Sequence, residues 1–396
     1  MKYSVLGVLT LLLALVGSVG SPFAQSSEHS IAFIDNDLPL ALEQSASLGK
    51  MIFVDAYASW CAPCKVMDKE VFVDSMVAEY FNEHFVNLKL DMEKGDGVEN
   101  AKKYDVKAYP TFLFINSGGH LLHKGMGYML PEDLIALAVS AQNPSTQLAS
   151  LSEMYAAGNR GEQAHLAYAQ ALFGARDERF DSVARAYLSS KDSWSDKSTM
   201  ELVLQTAADV GDPYFADIVK NKFLYIKAYG EGIVYGRILN ILEKHYFEEI
   251  STIKLNAVKE RYVEVFPASK EEKFYDNFEM HYYERLGQNE KYLEAAKKYV
   301  KTYPNLSWSS LNQLAWNIYE KHDSSKALKL ATRWAKKSVA LKSSHYNNDT
   351  LAALYYKQGK EKPARKYAER AIELAKAAGA DYSTTAELLD KINGMS

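Results

Sequence analysis

The sequence predicts an α/β domain, a mixed sheet flanked by helices, followed by an all-α helical-repeat domain. Three observations carry this. Up to Gln142, short apolar runs alternate with helical segments and close on a hairpin signal. After the polar stretch Asn143-Pro144-Ser145-Thr146 the strand-like runs nearly vanish. Near the C-terminus, small residues recur at a fixed period. The boundaries are a leader over residues 1–20, an α/β domain over 31–142 and a helical domain over 146–396.

Composition sets the outer limits. The chain has 396 residues, 47% hydrophobic and 24% charged, with a formal net charge of -4. That much apolar residue buries a sizeable core, which excludes disorder over the whole chain. One long apolar run excludes a multi-span membrane protein. The near-balanced charge gives no global signal for nucleic acid. Two cysteines cannot make a disulfide-stapled scaffold or, unaided, a four-thiolate metal site.

Met1 to Gly20 has the pattern of a secretion signal: Lys2, an apolar stretch from Val5 to Val16, and small residues at Ser18 and Gly20, with a later cut after Ala24 as the variant. The expectation is an exported chain, periplasmic first, with secretion or an uncleaved anchor as alternatives, and no stable membrane span after cleavage. Disulfides persist in such a compartment.

The elements of the α/β domain follow in order. Asp37 to Lys50 is helical in pattern, and Met51–Tyr57 is a strand. A helix starts at the cysteines and another at Ser75 behind Asp74, a good N-cap. Phe85–Asp91 is a second strand, Gly97 to Tyr104 a helix, and Thr111–Ile115 a third strand. Asn116-Ser117-Gly118-Gly119 is turn chemistry, so His120 to Tyr128 returns as an antiparallel partner. Pro131 opens a last helix running to Gln142.

In the tail, Ala331, Ala335 and Ser338 precede Ala364, Ala368 and Ala371 by a constant 33 positions. Together with Leu351, Ala352, Tyr355 and Gly359 they resemble a tetratricopeptide repeat, clearest over 311–376. A weaker copy runs through Tyr283, Gly287, Ala295, Tyr299 and Pro304. The stretch from Thr146 to Tyr275 cannot be phased.

The chemistry lies in Trp60-Cys61-Ala62-Pro63-Cys64-Lys65, directly after the first strand. Cys61 at a helix N-terminus would have its thiolate stabilised by free N–H groups and the helix dipole. That predicts a lowered pKa and the more exposed of the two sulfurs. Cys64 lies one turn on, close enough to bond to it. A CxxC is also half a zinc site, but no second cysteine pair exists and the nine histidines show no ligand spacing. His120 and His123 are close together on the expected hairpin, a surface arrangement rather than a metal site. No metal and no cofactor beyond the cysteine pair is expected. Asp55 is a carboxylate inside an apolar run, which is costly unless it has a task.

Residues 51 to 128 resemble the thioredoxin family through VDAYASWCAPCK, Asp91 and Tyr109-Pro110-Thr111 in order. The resemblance implies a thioredoxin fold, Cys61 as attacking and Cys64 as resolving thiol, and Pro110 as a cis-proline facing the disulfide. It implies Asp55 as the buried acid beneath the second cysteine and Trp60 on the active-site rim. Tyr109 and Thr111 join Trp60 as the expected substrate-contacting set. The sequence departs from thioredoxin at Ala62, at Tyr109 and at Asn87, which falls where thioredoxin carries a lysine beside the buried acid. Met67 to Phe85 is closer to periplasmic, membrane-protein-linked thioredoxin-like domains.

The expected function is an exported thiol-disulfide oxidoreductase that reduces or isomerises protein disulfides, its helical tail recruiting client or partner. Electrons would come from or go to a separate protein, since no nucleotide fingerprint is present; nucleic acid is not an expected partner. The alternative is a redox-sensing or chaperone-like protein-binding scaffold with a docked thioredoxin-like domain. In the tail, Lys326, Lys329, Arg333, Lys336, Lys337 and Lys342 form a basic run without an intervening acid. It is either a solvated face or a site for an acidic partner.

Overall fold

The computed structural model describes residues 30–394. The expected leader therefore lies outside the described residues. The chain divides into two compact units. The first takes the chain through Tyr57, then Pro63–Leu121 and Gly127–Val139; the second takes Ala58–Ala62, Leu122–Met126 and everything from Ser140 onward.

The sheet has five strands in the order β1-β3-β2-β4-β5, where β1 is Phe33–Asp35, β2 Met51–Tyr57, β3 Phe85–Asp91, β4 Thr111–Ile115 and β5 Leu121–Met126. β1 and β2 flank β3 in parallel, and β4 runs antiparallel to β2, so the sheet is mixed as expected. β1 was not legible: three residues on an edge carry too little pattern. The residues of β2 and β4 are almost all buried, because both faces of the sheet are covered. Along β2 the pleat sends Ile52, Val54 and Ala56 to one face, packed with Leu88, Leu90, Leu113 and Ile115. Phe53, Asp55 and Tyr57 go to the other. There Phe53 meets Phe81, Phe114 and Phe112 at ring separations of 4.5, 5.4 and 5.8 Å.

Helix boundaries follow their caps. α1 (Leu38–Leu48) starts where the Asp37 side chain accepts the Leu40 N–H and ends at Gly49, whose φ of 65° is left-handed. α2 (Ala62–Val66) runs straight into a π-helical turn, Met67–Val71. α3 (Ser75–His84) is capped by Asp74, which accepts from Met76 and Val77. α4 covers Gly97–Lys103 and α5 Pro131–Gln142. Gly97 is obligatory on steric grounds, since a Cβ there would lie 1.9 Å from the Asp91 carbonyl oxygen.

His123 on β5 departs from the surface position expected of it. It is 3% exposed, and its Nδ1 accepts the Leu148 N–H at 3.0 Å. Burial pushes its pKa down to about 4.

Beyond α5 every regular element among the described residues is a helix, fifteen in all between Leu148 and Asn393. The helices enclose two apolar cores. One runs from Leu148 to Phe278 and is rich in aromatics, including Tyr168, Tyr187, Phe215, Tyr225 and Tyr262. The other begins at Met280 and ends at Ile392. Within the second, Trp308–Lys321 packs against Ser325–Leu341, and His345–Lys357 against Glu361–Ala378. Ala331, Ala335, Ser338, Ala364, Ala368 and Ala371 are all buried, their small side chains letting the paired helices approach. Gly287 and Gly359 occupy left-handed conformations in the turns before Asn289–Thr302 and Glu361–Ala378.

Candidate active site

The cysteine segment leaves the sheet at the end of β2, where the Cys61 N–H donates to the Ala58 carbonyl at 3.0 Å. Cys61 stands immediately before α2 and Cys64 inside it, and the two form a disulfide. Pro63 sits in the first turn, where a missing N–H costs little. With the disulfide closed each cysteine is 2% exposed. Trp60, by contrast, is 66% exposed.

The Tyr109–Pro110 bond is cis, as the resemblance implied. Thr111 pairs with Ala56, which sets Pro110 beside the end of β2 from which the cysteine segment departs. The Pro110 carbonyl accepts the Gly127 N–H at 2.9 Å. Tyr109 is half-buried, whereas Thr111 is fully buried and donates its hydroxyl to the Ala108 carbonyl at 2.7 Å. Thr111 thus contributes the shape of the 108–111 turn.

Asp55 lies on the aromatic face of β2, directly opposite Lys89 on β3 and Phe112 on β4. It is 1% exposed. Its Oδ2 stands 3.6 Å from the Lys89 Nζ, beyond hydrogen-bond length, and neither carboxylate oxygen has a hydrogen-bond partner among the described residues. Burial therefore dominates and raises the Asp55 pKa to about 7; Lys89 pulls it down and Asp68 pushes it further up.

Two members of this cluster escaped the sequence analysis. The lysine beside the buried acid is Lys89, two positions beyond Asn87. Asn87 instead donates to the Phe81 carbonyl and the Asn82 side chain. The signal was present, since a lysine inside the apolar strand Phe85–Asp91 needs a partner. Lys89 donates a hydrogen bond to Asp68 and lies within 4.9 to 5.8 Å of the Tyr57, Phe33 and Phe72 rings. Asp68 sits in the π-helical turn, whose altered phase no α-helical periodicity would predict.

Asp91 builds the turn after β3. Its N–H donates to Asn36 Oδ1, its Oδ1 accepts the Glu93 N–H, and its Oδ2 pairs with Lys94 at 2.8 Å.

This arrangement joins a two-sulfur redox couple to a nearby strand that holds a carboxyl group titrating near neutrality. Such a set can exchange disulfides and carry the accompanying proton.

Parts of the chain are similar to known proteins. Residues 33–117 match the family model described as thioredoxin-like. The thiol:disulfide interchange protein DsbD of Pseudomonas fluorescens is 31% identical over 105 residues, 25% of this chain and 18% of that protein. Thioredoxin-1 of Drosophila melanogaster is 36% identical over 72 residues, 18% of this chain and 63% of that protein. The solution structure of a candidate disulphide-isomerase from Bacteroides thetaiotaomicron shares 47% identity, covering 30% of this chain and 98% of that one, with a TM-score of 0.28. The chain spans about a fifth or less of the length of the DsbD relatives it matches.

Proposed function

Since residues 33–117 form a thioredoxin-like domain, we propose that this chain is an exported thiol-disulfide oxidoreductase that reduces or isomerises protein disulfides. The observation that carries the reading is the Cys61–Cys64 disulfide beside a strand holding a buried carboxyl group with a pKa raised to about 7. In the reduced enzyme the Cys61 thiolate attacks a substrate disulfide, forming a mixed disulfide while the departing substrate sulfur takes up a proton. Cys64 then gives its proton to the Asp55 carboxylate and attacks the Cys61 sulfur. The second substrate thiol leaves, and the enzyme holds the disulfide. The substrate is reduced by two electrons and the cysteine pair oxidised by two. A separate protein thiol restores the pair, with no cofactor beyond it.

Trp60 and Tyr109 would contact the substrate chain, and the cis bond at Pro110 would present backbone to it. Thr111 supports that turn. The tail is the recruiting element for client or partner, its hairpins at 308–378 being tetratricopeptide-like in their alanine spacing. Export to the periplasm rests on the pattern of residues 1–20. No helix among the described residues is long and apolar enough to cross a membrane.

The test is insulin reduction with dithiothreitol as electron source. Turnover by the full chain that is abolished by Cys61→Ser supports the reading. Turnover no faster than dithiothreitol alone overturns it.

A further inference from the structure

The helix Ser325–Leu341 carries an electrostatic arrangement that works against its own stability. Lys326, Lys329, Arg333, Lys336 and Lys337 are exposed along one side, over about 16 Å of helix axis. They succeed one another at spacings of three and four, so each faces a like charge. No acid occupies the first turn, and Lys326 stands there, at the end where the helix dipole disfavours cations. Other helices of the tail resolve the same problem with acid–base pairs one turn apart: Asp181 with Arg185, Glu294 with Lys297, Glu361 with Arg365, Arg370 with Glu373. Here none of Lys326, Lys329 and Arg333 makes an ion pair among the described residues. Glu294, which Lys326 influences weakly, is bonded to Lys297. Lys337 reaches the Pro304 carbonyl, and Lys336 lies over the Tyr355 ring.

We propose that this row of cations is a docking surface for an acidic peptide segment of a partner protein, which supplies the carboxylates that the helix lacks. The side chains between the cations decide among polyanions. Ala327, Leu328, Ala331, Trp334 and Ala335 are all buried. No exposed aromatic of this helix is therefore available to stack on nucleic-acid bases. The exposed large apolar side chain of this helix, Leu341, lies beyond the last cation of the row, so the row offers no apolar face to a bilayer. A peptide with carboxylates at one-turn spacing meets the row without either. The proposal is independent of the thiol chemistry.

The experiment uses the full chain and a fluorescein-labelled deca-glutamate peptide, read by anisotropy. The Lys326→Glu/Arg333→Glu double variant turns the row into alternating acid–base pairs. Lys227→Glu/Lys301→Glu, at two other exposed tail lysines, is the control for net charge. Saturable binding that weakens at least tenfold between 50 and 300 mM NaCl is expected. The double variant should lose at least tenfold in affinity and melt a few degrees higher than the parent, while the control binds within twofold of it. Equal binding by both variants, or a lower melting temperature in the double variant, overturns the proposal. So does binding to phosphatidylglycerol vesicles or oligo-dT with none to the peptide.

Discussion

Asp55 and Lys89 face each other across β2 and β3, yet their charged atoms stop 3.6 Å apart. The Lys89 ammonium is bonded instead to Asp68, in the turn after the cysteine helix. One cation thus serves two carboxylates unequally. The buried one receives the smaller share, too little to offset its burial, which raises its pKa to about 7.

The first prediction concerns Asp55 and stability. Its folded pKa, about 7, lies above the unfolded value of 3.8. The native state therefore binds more protons between those limits, and this group's contribution falls as pH rises from about 4 to 7. At pH 8 the ionised carboxylate costs the fold on the order of a few kcal/mol. Asp55→Asn should raise the midpoint of urea unfolding at pH 8 and leave it nearly unchanged at pH 4. The same variant should slow insulin reduction, since it cannot take the Cys64 proton.

His123 titrates with the opposite sign. Its folded pKa of about 4 lies below the usual 6.5, so the unfolded chain binds more protons and stability falls as pH drops through that range. Protonation also removes the lone pair that accepts the Leu148 N–H. The two groups offset each other between pH 4 and 7. Asp55→Asn should therefore make the protein markedly more acid-sensitive, and His123→Gln should make it lose stability toward pH 7. Urea midpoints at pH 4.5 and 7 for both variants check this.

Asp68→Asn removes a negative charge near Asp55 and frees the Lys89 ammonium for it. Both changes lower the proton affinity of Asp55. The Asp55-dependent limb of the pH–rate profile should move down by about one unit, while Lys89→Met should move it up. Profiles that coincide with the parent would assign this limb to another group.

How much of this was legible in the sequence depends on the range of the signal. β2 and β4 were delimited correctly because strands covered on both faces are nearly continuous apolar runs, β3 because its apolar residues alternate with polar ones, and Asp55 stood out within β2. Lys89 and Asp68 did not, because their meeting with Asp55 depends on strand register and on a π-helical turn. His123 was misplaced because a hairpin next to glycines suggests a surface, while its burial is set by what packs on β5. The 33-residue spacing was visible where alanines mark helix contacts. The aromatic core from Tyr168 to Phe278 has no comparable period, so its helices could not be phased.

Gly97→Ala tests the turn built by Asp91. A methyl group 1.9 Å from a carbonyl oxygen has no flexible neighbour to displace. The substitution should destabilise the domain by about 3 kcal/mol, read as a drop in the urea midpoint at constant slope.

The helix Glu271–Arg285 has a role in the tail that its length does not announce. Tyr275 and Phe278 belong to the aromatic core, while Met280, two residues on, belongs to the next. The divide between the cores runs through the middle of a helix rather than through a loop. No cut in a connecting segment separates the tail into two self-sufficient blocks. A fragment ending at Gly287 would expose Met280 to water, and one beginning at Asn289 would lack the wall against which Tyr292 and Leu293 close. Cooperativity is thereby built into the chain: when one half melts, the shared helix loses support on that side, and the loss is transmitted along a single rigid rod to the other half.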